Sequence, residues 1–234
     1  MKNARKSNLR MLAFMANKLG ELKKEVVFLG GCTTALLITD PAVPDVRFTY
    51  DVDCIIDVIS RINYREIEKT LRKQGFKQTA EDGVICRWRI NDVILDIMPT
   101  EEKILGFSNR WYKAAIMHAM EKQLDDIERI RVVTAPYFLA TKLEAFKDRG
   151  NKDFFASHDL EDIISVLDGR IELIKDIKES DSHVKKYLAE KFDGLLKERR
   201  FLEALPGHLN YSPLMQQQRV SVVRERLNKI SKFK

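Results

Sequence analysis

The chain has 234 residues, of which 44% are hydrophobic, and its formal net charge at pH 7 is +6. This length and apolar content allow one substantial core with a helical extension. No apolar run approaches the ~20 residues of a membrane span, which excludes a transmembrane protein and a membrane partner. The three cysteines lack metal-ligand spacing, which favours reduced thiols and a cytoplasmic location.

The charge is distributed unevenly along the chain. Residues 1–25 and residues 171–234 each have a net charge of +5, whereas residues 26–170 have a net charge of −4. Basic ends around an acidic centre suit a metal site with margins that bind a polyanion. Solvated helix faces would give the same counts, so the pattern leaves both interpretations open.

Apolar periodicity and turn residues predict strands early in the chain and helices late. In chain order, we expect a helix at 5–25, a strand at 26–29, a short helix at about 32–38, the strand that carries Asp51 and Asp53, a helix at about 64–74, a hairpin over 84–99, irregular chain at 101–112, a helix at about 113–124, a strand at about 130–133, and helices at about 136–148, 158–167, 170–178, 183–198 and 215–231. This order predicts an α+β fold, with a mixed β-sheet head flanked by helices over residues 1–133 and an all-α region over residues 134–234.

Two aspartates interrupt an apolar run shortly after a pair of glycines. The first apolar run ends at Gly30 and Gly31, and Asp51 and Asp53 lie within the second. Because side chains alternate along a strand, both carboxylates are expected on one face. Two such anionic ligands beside a glycine turn favour a Mg²⁺ site for a nucleoside triphosphate. The alternative is a turn followed by ordinary surface acids.

Asp96 is the one charged residue in the second strand of the predicted hairpin. A buried carboxylate is costly unless a cation satisfies it. Asp96 could therefore complete a metal site with Asp51 and Asp53. It could instead form a salt bridge with Arg87 or Arg89 across the hairpin.

A second cluster of charges lies about 90 residues further along the chain. Lys142 is close to the apolar stripe of a predicted helix, and Arg149 is two helical turns beyond it. Such cations could neutralise phosphate oxygens. Three acids follow at Asp153, Asp159 and Asp162. A pair of charged helices joined by surface ion pairs would give the same pattern.

Taken together, these segments resemble the AbiEii/AbiGii group of nucleotidyltransferase-like toxins, within the DNA polymerase β-like nucleotidyltransferase superfamily. The residues that carry the resemblance are Gly30-Gly31, Arg47-x-Thr49-x-Asp51-x-Asp53, and Lys142-x-x-Ala145 followed by Arg149-x-x-Lys152-Asp153. It implies a mixed sheet, Mg²⁺-dependent transfer from an NTP, a possible antitoxin protein, and an RNA acceptor, commonly the tRNA 3′ end. The glycine-to-aspartate spacing is longer than in the superfamily's compact motif, and the acids after Arg149 are more widely spread.

These observations lead to one assignment of roles. Asp51, Asp53 and Asp96 would bind Mg²⁺ or Mn²⁺, Lys142 would stabilise the leaving pyrophosphate, and Asp153 or Asp162 would be the late acid that the resemblance implies. The candidates for nucleotide contact are Gly30, Gly31, Thr33, Thr34, Arg47 and Arg149. Two other functions stay open, a small-molecule phosphotransferase or nucleotidyltransferase of the antibiotic-modifying type and a non-catalytic protein that binds nucleotides or nucleic acid.

Overall fold

The computed structural model describes residues 4–78, 83–125, 128–149 and 153–233. The chain divides into two compact units. The first unit contains the residues up to Ala35 together with Arg47–Thr134, and the second contains Leu36–Val46 together with Ala135–Lys234. The first unit carries a mixed β-sheet and the second is helical, which confirms the predicted α+β class.

A mixed sheet forms the centre of the first unit. Its strands, within the described part of the chain, are β1 (Val26–Leu29), β2 (Asp51–Ile56), β3 (Arg87–Ile90), β4 (Val93–Pro99), β5 (Met120–Gln123) and β6 (Arg129–Val132). Their order is β3-β4-β2-β1-β6-β5. The strand β2 runs parallel to β4 and antiparallel to β1. The two aspartates of β2 are therefore held on an interior strand that has hydrogen-bonded neighbours on both sides.

The helices that precede residue 134 are short apart from two. They are α1 (Ala4–Leu19), α2 (Thr34–Leu37), α3 (Arg61–Lys73), α4 (Glu102–Leu105) and α5 (Tyr112–Met117). The predicted amphipathic helix is confirmed in α1, whose apolar face is fully buried at Leu12, Met15 and Leu19. It ends before residue 25 because Gly20 takes a positive φ of 53°, where a 3₁₀ turn begins.

Two predictions between residues 101 and 124 are wrong. The stretch expected to be irregular contains α4, and the helix expected at about 113–124 stops at Met117. Residues Met120–Gln123 instead form β5, which pairs antiparallel with β6. Their side chains have good helix propensity, but the hydrogen bonds offered by β6 override this local preference.

The helices of the second unit pack around an apolar core. They are α6 (Ala135–Arg149), α7 (His158–Gly169), α8 (Leu173–Glu179), α9 (Ser182–Lys197), α10 (Arg199–Ala204) and α11 (Pro213–Ile230). The core includes Phe138, Leu160, Leu188, Phe201 and Leu227, all fully buried. The five predicted helices are confirmed here, and α10 is an additional one. No helix in the described ranges has the length and apolarity needed to cross a membrane.

The segment Leu36–Val46 belongs to the helical unit although it precedes β2 in the chain. The backbone N–H groups of Thr39 and Asp40 both donate to the carbonyl of Gly169, at 2.9 and 2.8 Å. A Cβ atom on Gly169 would lie 2.8 Å from the Ile38 Cγ2 atom, so a side chain at residue 169 would have to displace that of Ile38. Arg219 of α11 also donates to Asp40 at 2.9 Å. These contacts fix the segment against α7 and α11.

Candidate metal centre

Strand pairing brings the three predicted acidic ligands together. In the parallel register of β2 and β4, Asp53 lies opposite Asp96, and Asp51 is two residues before Asp53 on the same face. One carboxylate oxygen from each aspartate lies within 4.8 Å of the others. The sequence predicted this cluster, and the geometry places its three members together.

The donor set fits a hard divalent cation. Oxygens bound to one Mg²⁺ at about 2.1 Å are about 3 Å apart when adjacent and about 4.2 Å apart when opposite. The three aspartate oxygens lie within 4.8 Å of one another, so the carboxylates would move closer together on binding one ion. Asp51 and Asp53 are half-buried and Asp96 is 7% exposed, so their negative charges are only partly screened by water. A cation would offset this repulsion, and these three residues could hold Mg²⁺ or Mn²⁺.

Asp96 also forms the salt bridge that the sequence offered as its alternative role. The Arg87 guanidinium donates from Nε to Oδ1 at 2.9 Å and from Nη2 to Oδ2 at 2.7 Å. These residues face each other directly in the β3–β4 hairpin. The two interpretations of Asp96 are therefore compatible, since its carboxylate lies in the acidic cluster while the arginine holds it.

Gly30 is buried and packs directly against Asp53, one of the three candidate metal ligands. Its φ is +77°, and a Cβ atom on it would lie 1.8 Å from Asp53 Oδ2. Leu29, the residue before it, pairs with Asp53 across the β1–β2 ladder. Any side chain at residue 30 would therefore displace the carboxylate. Gly31 is buried and begins the 3₁₀ turn that follows.

The two threonines after the glycines differ in what their hydroxyl groups bind. Thr33 donates both its backbone N–H and its Oγ1 hydroxyl to the Gly30 carbonyl, at 3.1 and 2.8 Å. Thr34 Oγ1 is buried and has no hydrogen-bond partner among the described residues. An unsatisfied buried hydroxyl is costly, so Thr34 is the better candidate for contact with a phosphate.

Asn8 is a residue of this site that the sequence patterns did not indicate. It joins the turn after Gly30 to the segment just before β2. Asn8 lies on α1 and is fully buried. Its Nδ2 donates to the Arg47 carbonyl at 2.9 Å, and its Oδ1 accepts from the Thr49 N–H at 3.3 Å. Its backbone carbonyl accepts from the Cys32 thiol at 3.4 Å. The available signal was a polar residue on the buried face, one turn before Leu12.

The remaining candidate in this unit is Arg47. Its side chain is half-buried, and its Nη1 atom donates to the Phe48 carbonyl at 3.4 Å. The carbonyl bond from Asn8 fixes its backbone just before β2. Its predicted contact with nucleotide stays a prediction.

Lys142 lies in a buried ion cluster of the helical unit. Its ammonium is 3.0 Å from Asp159 Oδ1 and 2.7 Å from Asp162 Oδ2. Arg149 donates two hydrogen bonds to Asp159, each at 3.0 Å. Burial alone would raise the pKa of Asp159, but Arg149 and Lys142 more than offset this and lower it. The cluster is formally neutral, and Lys142 is 8% exposed, so it is not a solvated surface lysine.

Asp153 has a different environment from Asp159 and Asp162. Its exposed carboxylate accepts hydrogen bonds from the backbone N–H groups of Phe155 and Ala156, both at 3.0 Å. These bonds lower its pKa. Asp153 therefore caps the turn before α7, and the acids that contact Lys142 are Asp159 and Asp162. Lys152, also part of the resemblance, lies outside the described residues.

No family model matches the chain, and no curated protein matches it. Among solved structures, the chain is similar to an antigenic nucleotidyltransferase-like protein from Paracoccidioides brasiliensis, with a TM-score of 0.48 and 20% identity over 88% of this chain and 94% of that one. The resemblance to the AbiEii/AbiGii group stays a prediction, and the function proposed below rests on the geometry of the site.

Proposed function

We propose that the protein is a metal-dependent nucleotidyltransferase, which transfers a nucleotide from an NTP to a hydroxyl acceptor. The observation that supports this most strongly is the convergence of Asp51, Asp53 and Asp96 beside the Gly30 turn. When bound there, Mg²⁺ or Mn²⁺ would supply the positive charge that phosphoryl transfer requires. The backbone around the site is fixed by strand pairing and by Asn8, which suits a reaction that depends on positioning.

In the proposed reaction, the acceptor hydroxyl oxygen bonds to the α-phosphorus of the NTP. The bond from that phosphorus to the bridging oxygen breaks, and pyrophosphate leaves with the electron pair. The hydroxyl proton passes to a carboxylate or to solvent. Thr34 offers its unsatisfied hydroxyl to the phosphates, and Gly30 leaves the Asp53 carboxylate in place.

The role of Lys142 in this proposal comes from the resemblance. The Lys142 ammonium pairs with both Asp159 and Asp162. This pairing would hold the ammonium in a fixed orientation. Stabilisation of pyrophosphate by Lys142, and less directly by Arg149, is part of the proposal.

RNA is the acceptor that the charge distribution favours. The basic residues before residue 26 and after residue 170 would contact its phosphates. A toxin activity and an antitoxin partner follow from the resemblance and belong to the same proposal.

The decisive experiment incubates the full chain with each of four labelled NTPs, Mg²⁺ and total bacterial RNA. We expect label in RNA together with release of pyrophosphate, and neither product from the Asp53→Asn variant. Release of nucleoside diphosphate would instead indicate a phosphotransferase. Mg²⁺-dependent NTP binding without turnover would indicate a non-catalytic binding protein.

A further inference from the structure

The Arg87 guanidinium forms a two-bond fork with the carboxylate of Asp96, a candidate metal ligand. The two side chains are mostly buried, with exposed fractions of 23% for Arg87 and 10% for Asp96. Both carboxylate oxygens of Asp96 accept a hydrogen bond from the guanidinium. A cation at the centre would therefore share this carboxylate with an arginine.

When Asp96 contacts both Arg87 and a cation, the arginine could change metal affinity in either of two opposite directions. The positive charge of Arg87 repels a divalent cation, and its removal would then strengthen metal binding. Alternatively, the planar fork holds the carboxylate in the orientation that the metal needs, and its removal would weaken metal binding. Charge and geometry thus predict changes of opposite sign.

The coordinates favour the second effect. A carboxylate offers about four lone-pair directions, and a bidentate arginine occupies two of them. The oxygens of Asp51, Asp53 and Asp96 converge within 4.8 Å while the fork is formed. The arginine therefore does not hold Asp96 away from the other two acids. Because Arg87 lies on β3 opposite Asp96, the β3–β4 ladder fixes the direction from which the fork approaches.

We propose that Arg87 is a positioning residue of the metal centre, which orients Asp96 as a ligand through its bidentate fork. This inference rests on the proposed function in one respect, namely that the acidic cluster binds a divalent cation. It assigns Arg87 no contact with the NTP or with the reacting atoms.

The experiment measures Mn²⁺ binding to the nucleotide-free full chain, by titration followed with electron paramagnetic resonance of free Mn²⁺. The variants are Arg87→Lys, which keeps the charge without the planar fork, and Arg87→Gln, which removes the charge. We expect both to weaken Mn²⁺ binding about 10- to 100-fold, as is typical when a residue that orients a metal ligand is lost.

Arg89→Gln is the matched control. Arg89 lies on the same face of β3, two residues from Arg87, and its backbone partner on β4 is Ile94. Losing this charge should change Mn²⁺ affinity by no more than about twofold, because the half-buried Arg89 lies opposite Ile94 in the ladder and not opposite one of the three acids. Equal weakening in Arg89→Gln and Arg87→Gln would show a general charge effect and overturn the proposal.

Two further outcomes have definite meanings. Mn²⁺ binding that is unchanged in Arg87→Lys and tighter in Arg87→Gln would show that charge repulsion dominates, and it would overturn the positioning role while leaving the metal centre intact. If the wild-type chain binds Mn²⁺ no better than Asp53→Asn, both the metal centre and the role of Arg87 fail. Thermal unfolding in EDTA shows whether each variant is folded. If Arg87→Gln does not fold, the Mn²⁺ affinity of Arg87→Lys alone tests the proposal.

Discussion

Gly30 and Asp53 are packed so closely that a single added carbon atom on the glycine would occupy the space of the Asp53 carboxylate, 1.8 Å from Oδ2. We therefore predict that Gly30→Ala abolishes Mn²⁺ binding and nucleotide transfer. Both proposed activities would depend on the position of that carboxylate.

Gly75→Ala is the control for backbone strain. Gly75 also has a positive φ, of 91°, but a Cβ atom on it would meet nothing within 4 Å. Gly75→Ala should lower the stability of the protein by about 1 kcal/mol and leave Mn²⁺ binding unchanged. If Gly30→Ala behaves like Gly75→Ala in a binding titration, the close approach to Asp53 has no functional consequence.

The second prediction concerns the charge of the acidic cluster. Asp53→Asn keeps the shape of the side chain and removes one of three neighbouring negative charges. We expect the melting temperature without metal to stay equal or rise, because repulsion between like charges decreases. The stabilisation by Mg²⁺, about 2.7 kcal/mol at 100 times the dissociation constant, should be lost. Thermal unfolding with and without Mg²⁺ measures both effects, and a destabilised apo variant would contradict the prediction.

The third prediction concerns Lys142, whose partners make a simple alanine substitution uninformative. Lys142→Ala would leave Asp159 and the 1%-exposed Asp162 without their ammonium. Breaking one side of such a buried pair costs about 3–5 kcal/mol, so loss of activity could reflect unfolding. The exposed Lys147, which lies 3.7 Å from Glu144, provides the control, and Lys147→Ala should change stability by less than about 1 kcal/mol.

A double variant separates the chemical role of Lys142 from its structural role. Lys142→Met with Asp162→Asn removes one positive and one negative charge, while Arg149 still pairs with Asp159. Asp162→Asn alone is measured beside it, because Asp162 is itself a candidate acid. We expect a folded protein whose chemical step is slowed more than its NTP binding is weakened. Single-turnover kinetics measure this step. A folded double variant with normal turnover would restrict Lys142 to holding α6 against α7.

The fourth prediction is a pH dependence of the helical unit. The pKa of Asp159 is lowered in the folded chain, so the folded state holds this carboxylate ionised more strongly than the unfolded state does. Its contribution to stability is therefore fully present above the ordinary aspartate pKa of about 4 and is lost as the pH falls through the lower folded value. Melting temperatures between pH 6 and pH 2.5 should fall less steeply in Asp159→Asn. Equal slopes in the two proteins would contradict the assignment.

The fifth prediction concerns RNA. Deleting α11 is unsuitable as a test, because Val223, Leu227 and Ile230 are fully buried and Arg219 pairs with the buried Asp168. The exposed Arg10 and Arg224 can be changed to Gln without this damage. Each one that contacts a phosphate should reduce the slope of log affinity against log salt by about 0.7 on a single strand. A salt-insensitive reaction on a small hydroxyl compound would favour the phosphotransferase instead.

The acidic cluster could be predicted from the sequence largely because its parts are local patterns. Alternation placed Asp51 and Asp53 on one face, and the turn at Asn91, whose φ is +51°, marked the hairpin that carries Asp96. Asp96 lies beside Asp53 because β2 pairs with β4, which is a long-range contact. The sequence indicated it only through the expectation that a metal site needs a third carboxylate. The charge of Asp96 did not distinguish between a metal and Arg87, because its carboxylate lies in the acidic cluster and also accepts from the Arg87 guanidinium.

Other features depend on contacts that no local pattern encodes. The strand β5 exists because β6 offers its free edge to residues 120–123, against their helix propensity. The bonds of Asn8 to Arg47 and Thr49 join positions about 40 residues apart. The pairing of Lys142 with Asp159 and Asp162 depends on how α6 packs against α7, since residues 17 and 20 positions apart are not neighbours on one helix.

The position of Leu36–Val46 within the helical unit has a consequence for dissecting the protein. The chain leaves the sheet unit just after the glycine turn and returns to it just before Asp51, so no single cut releases either unit with its full complement of residues. A fragment that stops at residue 134 would carry Leu37 and Ile38, buried in the whole chain, into water and without the Gly169 carbonyl. A fragment limited to the sheet unit would therefore need this segment replaced by a short polar linker.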